Sequence, residues 1–149
     1  MKNILKQTAG IFLIILLLAP VSCKKYEDGP WFSIYSKKER ATGNWRFALV
    51  RVDGEDITEE YTNQTVNMLK NGDIFWTQGY YDNNPWNPYG PGGEWNFADD
   101  KMQIEMHFLY GVSEEFTLVW DIIGLKYGDL RLERYEDGVK VEWRMWKPY

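Results

Sequence analysis

The chain has almost no cysteine or histidine, the residues on which zinc, redox and many nucleophilic sites depend. Its 149 residues include one cysteine, Cys23, and one histidine, His107. A single cysteine excludes any disulfide within the chain, whatever the redox state of its surroundings. No zinc spacing, redox pair or phosphate-cradling glycine loop is present, so neither a metal nor a cofactor is expected. Positive charge is also short, with 17 Lys and Arg against 22 Asp and Glu. A basic patch supplies most nucleic-acid affinity, so its lack excludes a nucleic-acid partner. Long apolar runs are missing as well. Ile11 to Leu18 is unbroken, but a comfortable membrane-spanning helix needs roughly 20 apolar residues.

What the chain does have is concentrated around Cys23. Lys2 and Lys6 precede the apolar run with no acid between them, and Ala19-Pro20-Val21-Ser22 leads to the thiol. A charged start, a short apolar stretch and small residues before a cut mark a secretory signal. The segment resembles a bacterial lipoprotein signal, in which the cysteine is lipidated and becomes the new N-terminus. That resemblance implies a signal peptide over residues 1–22 and lipid attachment at Cys23. It further implies a covalent tether to the outer membrane of a Gram-negative envelope, on its periplasmic or its surface face. One acyl chain holds a protein only marginally, whereas two or more anchor it stably. Plain secretion and an uncleaved anchor are the alternatives.

Removing residues 1–22 takes away two lysines and no acid, which moves the net charge from −5 to −7. Such an acidic chain does not bind anionic lipid peripherally by its overall charge, so the membrane link is expected to be covalent. Residues 23–149 suffice for one domain with a real core. Nearly all the aromatic residues lie there, which argues against disorder. Residues 23–42 read as a tether, with turn chemistry at Tyr26–Pro30 and a charge run at Lys37–Arg40 able to form a short helical turn.

From Asn44 onward the hydrophobic period is two. Met102 to Phe108 alternates apolar and polar without a break, and Phe116 to Ile122 and Val139 to Met145 repeat the pattern. Asp53-Gly54, Asn71-Gly72, Asp99-Asp100, Gly128-Asp129 and Asp137-Gly138 are turn signals between the runs. The spacing predicts eight strands, near 45–52, 64–70, 74–79, 94–98, 101–108, 115–123, 129–135 and 139–147. Successive hairpins of this kind imply an all-β antiparallel meander over 43–149. A two-sheet sandwich fits the count too. An eight-stranded up-and-down barrel is favoured, because closure removes exposed edges and leaves an interior for side chains or one small ligand.

Gly43-Asn44-Trp45, at the head of this pattern, resembles the G-x-W signature of lipocalins. The stretch from Tyr26 to Trp45 is similar to small lipocalin-like lipoproteins of Bacteroidetes-type bacteria. The resemblance implies a lipocalin-like barrel with Trp45 plugging its closed end and a late basic residue, Arg144 or Lys147, packed across it. It supports fold and location more than activity.

Alternation turns Trp45, Trp76, Trp95, Trp120 and Trp143 inward, with Phe47, Phe97, Phe108, Phe116, Met102, Met106 and Met145. Interiors pack near crystal density, so a small pocket near the mouth is expected rather than a deep calyx. The long connections, 53–63 and 80–93, fall at one end of an up-and-down barrel, opposite the tether. Tyr80, Tyr81, Trp86, Tyr89 and Trp95 form the candidate ligand-binding set. Flat rings among asparagines, prolines and glycines suit a sugar or an apolar ligand, and they suit a lid over the core equally. His107 falls on the outward face, and the acids of 53–60 do not match a calcium loop. No nucleophile–base pair appears, so an enzyme is not expected. The sequence therefore points to a binding module for a small apolar ligand or glycan. The alternative is a filled barrel acting as a structural subunit with an envelope protein partner.

Overall fold

A computed structural model describes residues 33–78, 92–110 and 114–148. After a short helix α1 (Lys37–Ala41), the chain forms β1 (Gly43–Val52), a two-residue strand β2 (Glu55–Asp56) and a 3-10 turn (Thr58–Tyr61). Then follow β3 (Gln64–Met68), β4 (Asp73–Gln78), β5 (Gly92–Ala98), β6 (Gln103–Tyr110), β7 (Glu114–Lys126), β8 (Asp129–Glu136) and β9 (Val139–Trp146). Neighbours pair antiparallel in chain order from β3 to β9. β1 pairs with β3 on one side and β9 on the other. The result is the closed, eight-stranded antiparallel barrel that the alternation predicts, with β2 as a stub on β1.

Local chemistry explains the turns. Asp53-Gly54 and Asp137-Gly138 each place both residues at positive φ, which is what tight hairpins of right-twisted strands require. The start of β6 differs from the expectation at 101. Asp99, Asp100 and Lys101 all adopt positive φ, and Met102 N–H closes the turn on the Asp99 carbonyl. The strand therefore begins at Gln103.

Two register shifts account for the other departures. Irregularities between Phe47 and Leu49 and between Ile122 and Gly124 reset which residue faces in. Val50 is buried three places after Phe47, and Leu125 three places after Ile122. The second shift carries β7 on to Lys126 rather than ending it near 123, because Leu125 turns back into the core.

The core is aromatic. Trp45 and Trp120 are fully buried, Trp95 and Trp143 nearly so, and Phe108, Met106 and Met145 are sealed among them. Trp76, Phe97 and Met102 are partly buried against this cluster, whereas Phe116 shares their inward parity but is exposed at the rim.

The segment 36–42 is part of the folded domain, although the sequence groups it with the tether. Ser36 and Glu39 form a capping box on α1, and Ala41 and Arg40 are buried. Trp45 Nε1 donates to the Ala41 carbonyl at 2.8 Å. Arg40 Nη1 donates to the Leu125 carbonyl at 2.7 Å. A buried indole needs an acceptor, and the helix end supplies it.

Of the two basic residues expected over Trp45, Lys147 fills the place. Its Nζ lies 4.6 Å from the Trp45 ring centre and donates to the Arg40 carbonyl at 2.9 Å. Arg144 points outward and bonds Asp129.

Candidate functional site

The short turns after β3, β5 and β7, together with α1 and the C-terminal residues, occupy one end of the barrel. The ends of β1, β4, β6 and β8 and the starts of β3, β5, β7 and β9, with the connection 53–63 and the turn 137–138, lie at the other. At this second end lies a cavity of about 570 Å³, within the range of small-molecule sites. Trp76 from β4, Phe116 and Leu118 from β7, and Val139, Val141 and Trp143 from β9 line it. Tyr61 closes one side from the 3-10 turn, and Arg134 enters from β8.

Ring contacts hold these walls. Trp76 meets Trp143 edge-on at 5.3 Å, and Phe47 meets Trp143 edge-on at 5.1 Å beneath. Tyr61 lies parallel to Trp76 at 6.5 Å. Trp76 Nε1 donates to Gln64 Oε1 at 2.8 Å, which fixes its ring. Burial pushes the Tyr61 hydroxyl pKa up, and the nearby Glu60 carboxylate adds to the rise. Tyr61 therefore stays neutral across the physiological range.

The connection 53–63 is strapped down. Asp56 accepts from the Thr58 N–H at 3.0 Å and from the Thr58 hydroxyl. That hydroxyl accepts in turn from the Val50 N–H at 2.9 Å. These two hydrogen bonds from Thr58 hold the Asp56 carboxyl below its ordinary pKa.

Arg134 is the functional-site residue the sequence reading passed over. Leu130, Leu132, Arg134 and Glu136 share one face of β8, so the alternation visible in Leu130 and Leu132 extends to a charged side chain. Its guanidinium sits 5.1 Å from the Trp120 ring centre, and Nη2 bonds Glu136 at 2.6 Å. Trp120 itself stacks on Trp143 at 4.1 Å. Arg134 Nε and Trp120 Nε1 are buried and have no hydrogen-bond partner.

Of the candidate binding set, Tyr80, Tyr81, Trp86 and Tyr89 lie outside the described residues, as does Cys23. Trp95 is described, and its placement corrects the expectation. It faces inward, nearly fully buried, and its Nε1 donates 2.9 Å to the Leu69 carbonyl at the tether end. Its backbone N–H bonds the Gly72 carbonyl of the same turn. β5 runs away from the mouth, so a residue in its middle packs toward the base.

His107 lies on the outer face of β6. It bonds Thr117 at 2.9 Å across the strands and sits 3.7 Å from Glu115. Among the described residues, no group of three or more His, Cys, Asp and Glu side chains is placed to hold a metal. No helix among them is long and apolar enough to cross a membrane.

No family model matches this chain, and no curated protein matches it. Among solved structures, the chain is similar to a lipocalin-like protein from Bacteroides uniformis. The identity is 16% and the TM-score 0.48, over 73% of this chain and 99% of that one.

Proposed function

We propose that the protein is a lipid-anchored envelope lipoprotein whose barrel mouth binds one small ligand without turning it over. The cavity of about 570 Å³ walled by Trp76, Phe116 and Trp143 carries this reading. Its walls suit an apolar body or the flat face of a sugar. Arg134, which lines the cavity beside these rings, would supply the polar contact that orients such a ligand. Tyr80, Tyr81, Trp86 and Tyr89, in the connection between β4 and β5, would complete the contact from above. The anchor reading rests on Cys23 and the segment before it.

Native mass spectrometry of protein taken gently from its own membrane tests both parts. A reproducible mass beyond the acylated chain establishes the ligand and indicates its class. A bare acylated mass turns the reading to a filled barrel that serves as a structural subunit. An unmodified Cys23 removes the anchor. For the site itself, Arg134→Met keeps the packing of the stem over Trp120 and deletes the donors. It should weaken ligand binding about tenfold, as loss of a hydrogen bond from a charged donor implies. Equal affinity in the variant, read by tryptophan fluorescence, would show that Arg134 takes no part.

A further inference from the structure

We infer that the tether end of the barrel is a seat for the lipid surface, so that the membrane holds the domain upright with its mouth away from the bilayer. The tether geometry used here rests on the anchor reading above; the surface itself is a separate observation.

Tyr35 and Tyr127 stack with ring centres 4.8 Å apart, yet both are exposed. Ile34, beside Tyr35, is 80% exposed, and Trp146 at the end of β9 is 40% exposed. Single exposed apolar residues need no explanation. These four, however, gather at the one end where the chain enters the barrel. Tyrosine and tryptophan are the residues that favour a membrane–water boundary, with a ring in the acyl region and a polar tip in the headgroups.

Charge follows the same axis. Lys38 and Lys126 are exposed at the tether end, and Lys147 Nζ lies 4.9 Å from the Tyr127 ring. The acids at this end are Glu39 in the capping box, Asp129 with Arg131 and Arg144, Asp73 at the start of β4, and exposed Asp99 and Asp100 in the turn after β5. Lys70 and Lys101, in the turns after β3 and β5, add to the bases there. At the mouth, Asp53 to Glu60 contributes five acids, and Glu115, Glu136 and Asp137 are exposed there too. The overall charge of the mature chain opposes an anionic surface, but its distribution opposes only the mouth. An anionic leaflet attracts the lysine end and repels the other.

Tether length makes a weak contact sufficient. Nine residues, 24–32, lie between Cys23 and Ser33, the first described residue. Ten residue steps cannot reach farther than about 36 Å in any conformation. The aromatic end therefore stays beside the bilayer at high effective concentration. The mouth stands farther off by about a strand length, roughly 20 Å.

The test exploits the single thiol. The chain from Cys23 onward contains every described element and can be coupled through that cysteine to maleimide lipid. Vesicles of mixed phosphatidylethanolamine and phosphatidylglycerol then hold it as an acyl anchor would, whether or not Cys23 is acylated in the cell. Backbone amide exchange is compared with the same chain capped by a soluble maleimide. Exchange in 33–36 and 126–128 should slow several-fold on vesicles, with 53–63 unchanged. The double variant Ile34→Ser, Tyr127→Ser should lose this protection while still unfolding cooperatively, with a fall in melting temperature no larger than loss of the Tyr127 contacts to Tyr35 and Lys147 implies. Protection at the mouth, or none at either end, would overturn the seat. Protection that persists at equal strength on vesicle-free polymer, where only chain–chain contact is available, would assign the face to a second copy instead. Cys23 acylation is read separately by intact mass, so failure of the anchor and failure of the seat are told apart.

Discussion

At the residue scale, the closed end rests on a few contacts that tie distant parts of the chain. Lys147 joins Trp45, Tyr127 and the Arg40 carbonyl. Burial pushes its pKa down, which trims the benefit of these contacts without removing it. Lys147→Met should lower stability by about 1 kcal/mol, since cation–π contacts contribute roughly 0.5–2 kcal/mol and the lost burial cost offsets part. Denaturant midpoints at constant slope check this. Gly43 makes the fit possible. A Cβ there would lie 2.7 Å from Lys147 Cε, and its φ of +146° disfavours any side chain. The glycine of the Gly43-Asn44-Trp45 signature thus has a physical reason: it clears the path of the lysine that covers the tryptophan.

At the element scale, strand pairing and the mouth loop carry separate expectations. A Cβ on Gly93 would come within 1.9 Å of the His107 carbonyl oxygen, and backbone cannot yield as a side-chain tip does. Gly93→Ala should therefore part β5 from β6 and cost at least about 2–3 kcal/mol, as overpacking of a tight site does. A fall in melting temperature with loss of amide protection at 103–108 would show it. The loop 53–63 should respond to acid. Thr58 holds the Asp56 carboxyl below its ordinary value. The carboxylate's contribution is therefore complete above the unfolded value, near 3.9, and is lost as pH falls through the lower folded one. Amide exchange at Val50 and Thr58 should accelerate in that window in the natural chain. In Asp56→Asn this acid step should be absent.

At the scale of the whole molecule, closure is decisive. β1 and β9 pair from Arg46–Trp146 to Val52–Val141, and without that seam both strands become exposed edges. Removing residues 139–149 should abolish cooperative unfolding and leave an aggregating chain, seen as loss of a sigmoidal denaturant transition. The intact chain should unfold in one step, with folding slowed by the long-range pairing of its first and last strands. Closure also separates the molecule into two chemically different ends. One is sealed by Trp45, Lys147 and α1, and the other holds the cavity beneath an acidic rim.

Period-two alternation and Asp-Gly turns are local properties. For that reason the strand number, the antiparallel order and the inward tryptophans are legible without coordinates. That a late basic residue covers Trp45 is implied by the resemblance of Gly43-Asn44-Trp45 to a known signature; closure of the meander brings Arg144 and Lys147 within reach, and the structure selects Lys147. A small pocket near the mouth is expected from the sequence too, whereas its lining and the height of Trp95 are not. Trp95 sits on the correct face, but its height along the barrel depends on where Leu69 and Gly72 fall across the sheet. Arg134 lay within the same alternation, hidden because a charge on an inward position breaks the apolar pattern by which inward positions are found. Sequence alone determined the alternation that turns most of the inner side chains inward, outside the two bulges that reset it. Only the tertiary structure decided how high in the barrel each one stands, because register and bulges are set by pairing between strands far apart in the chain.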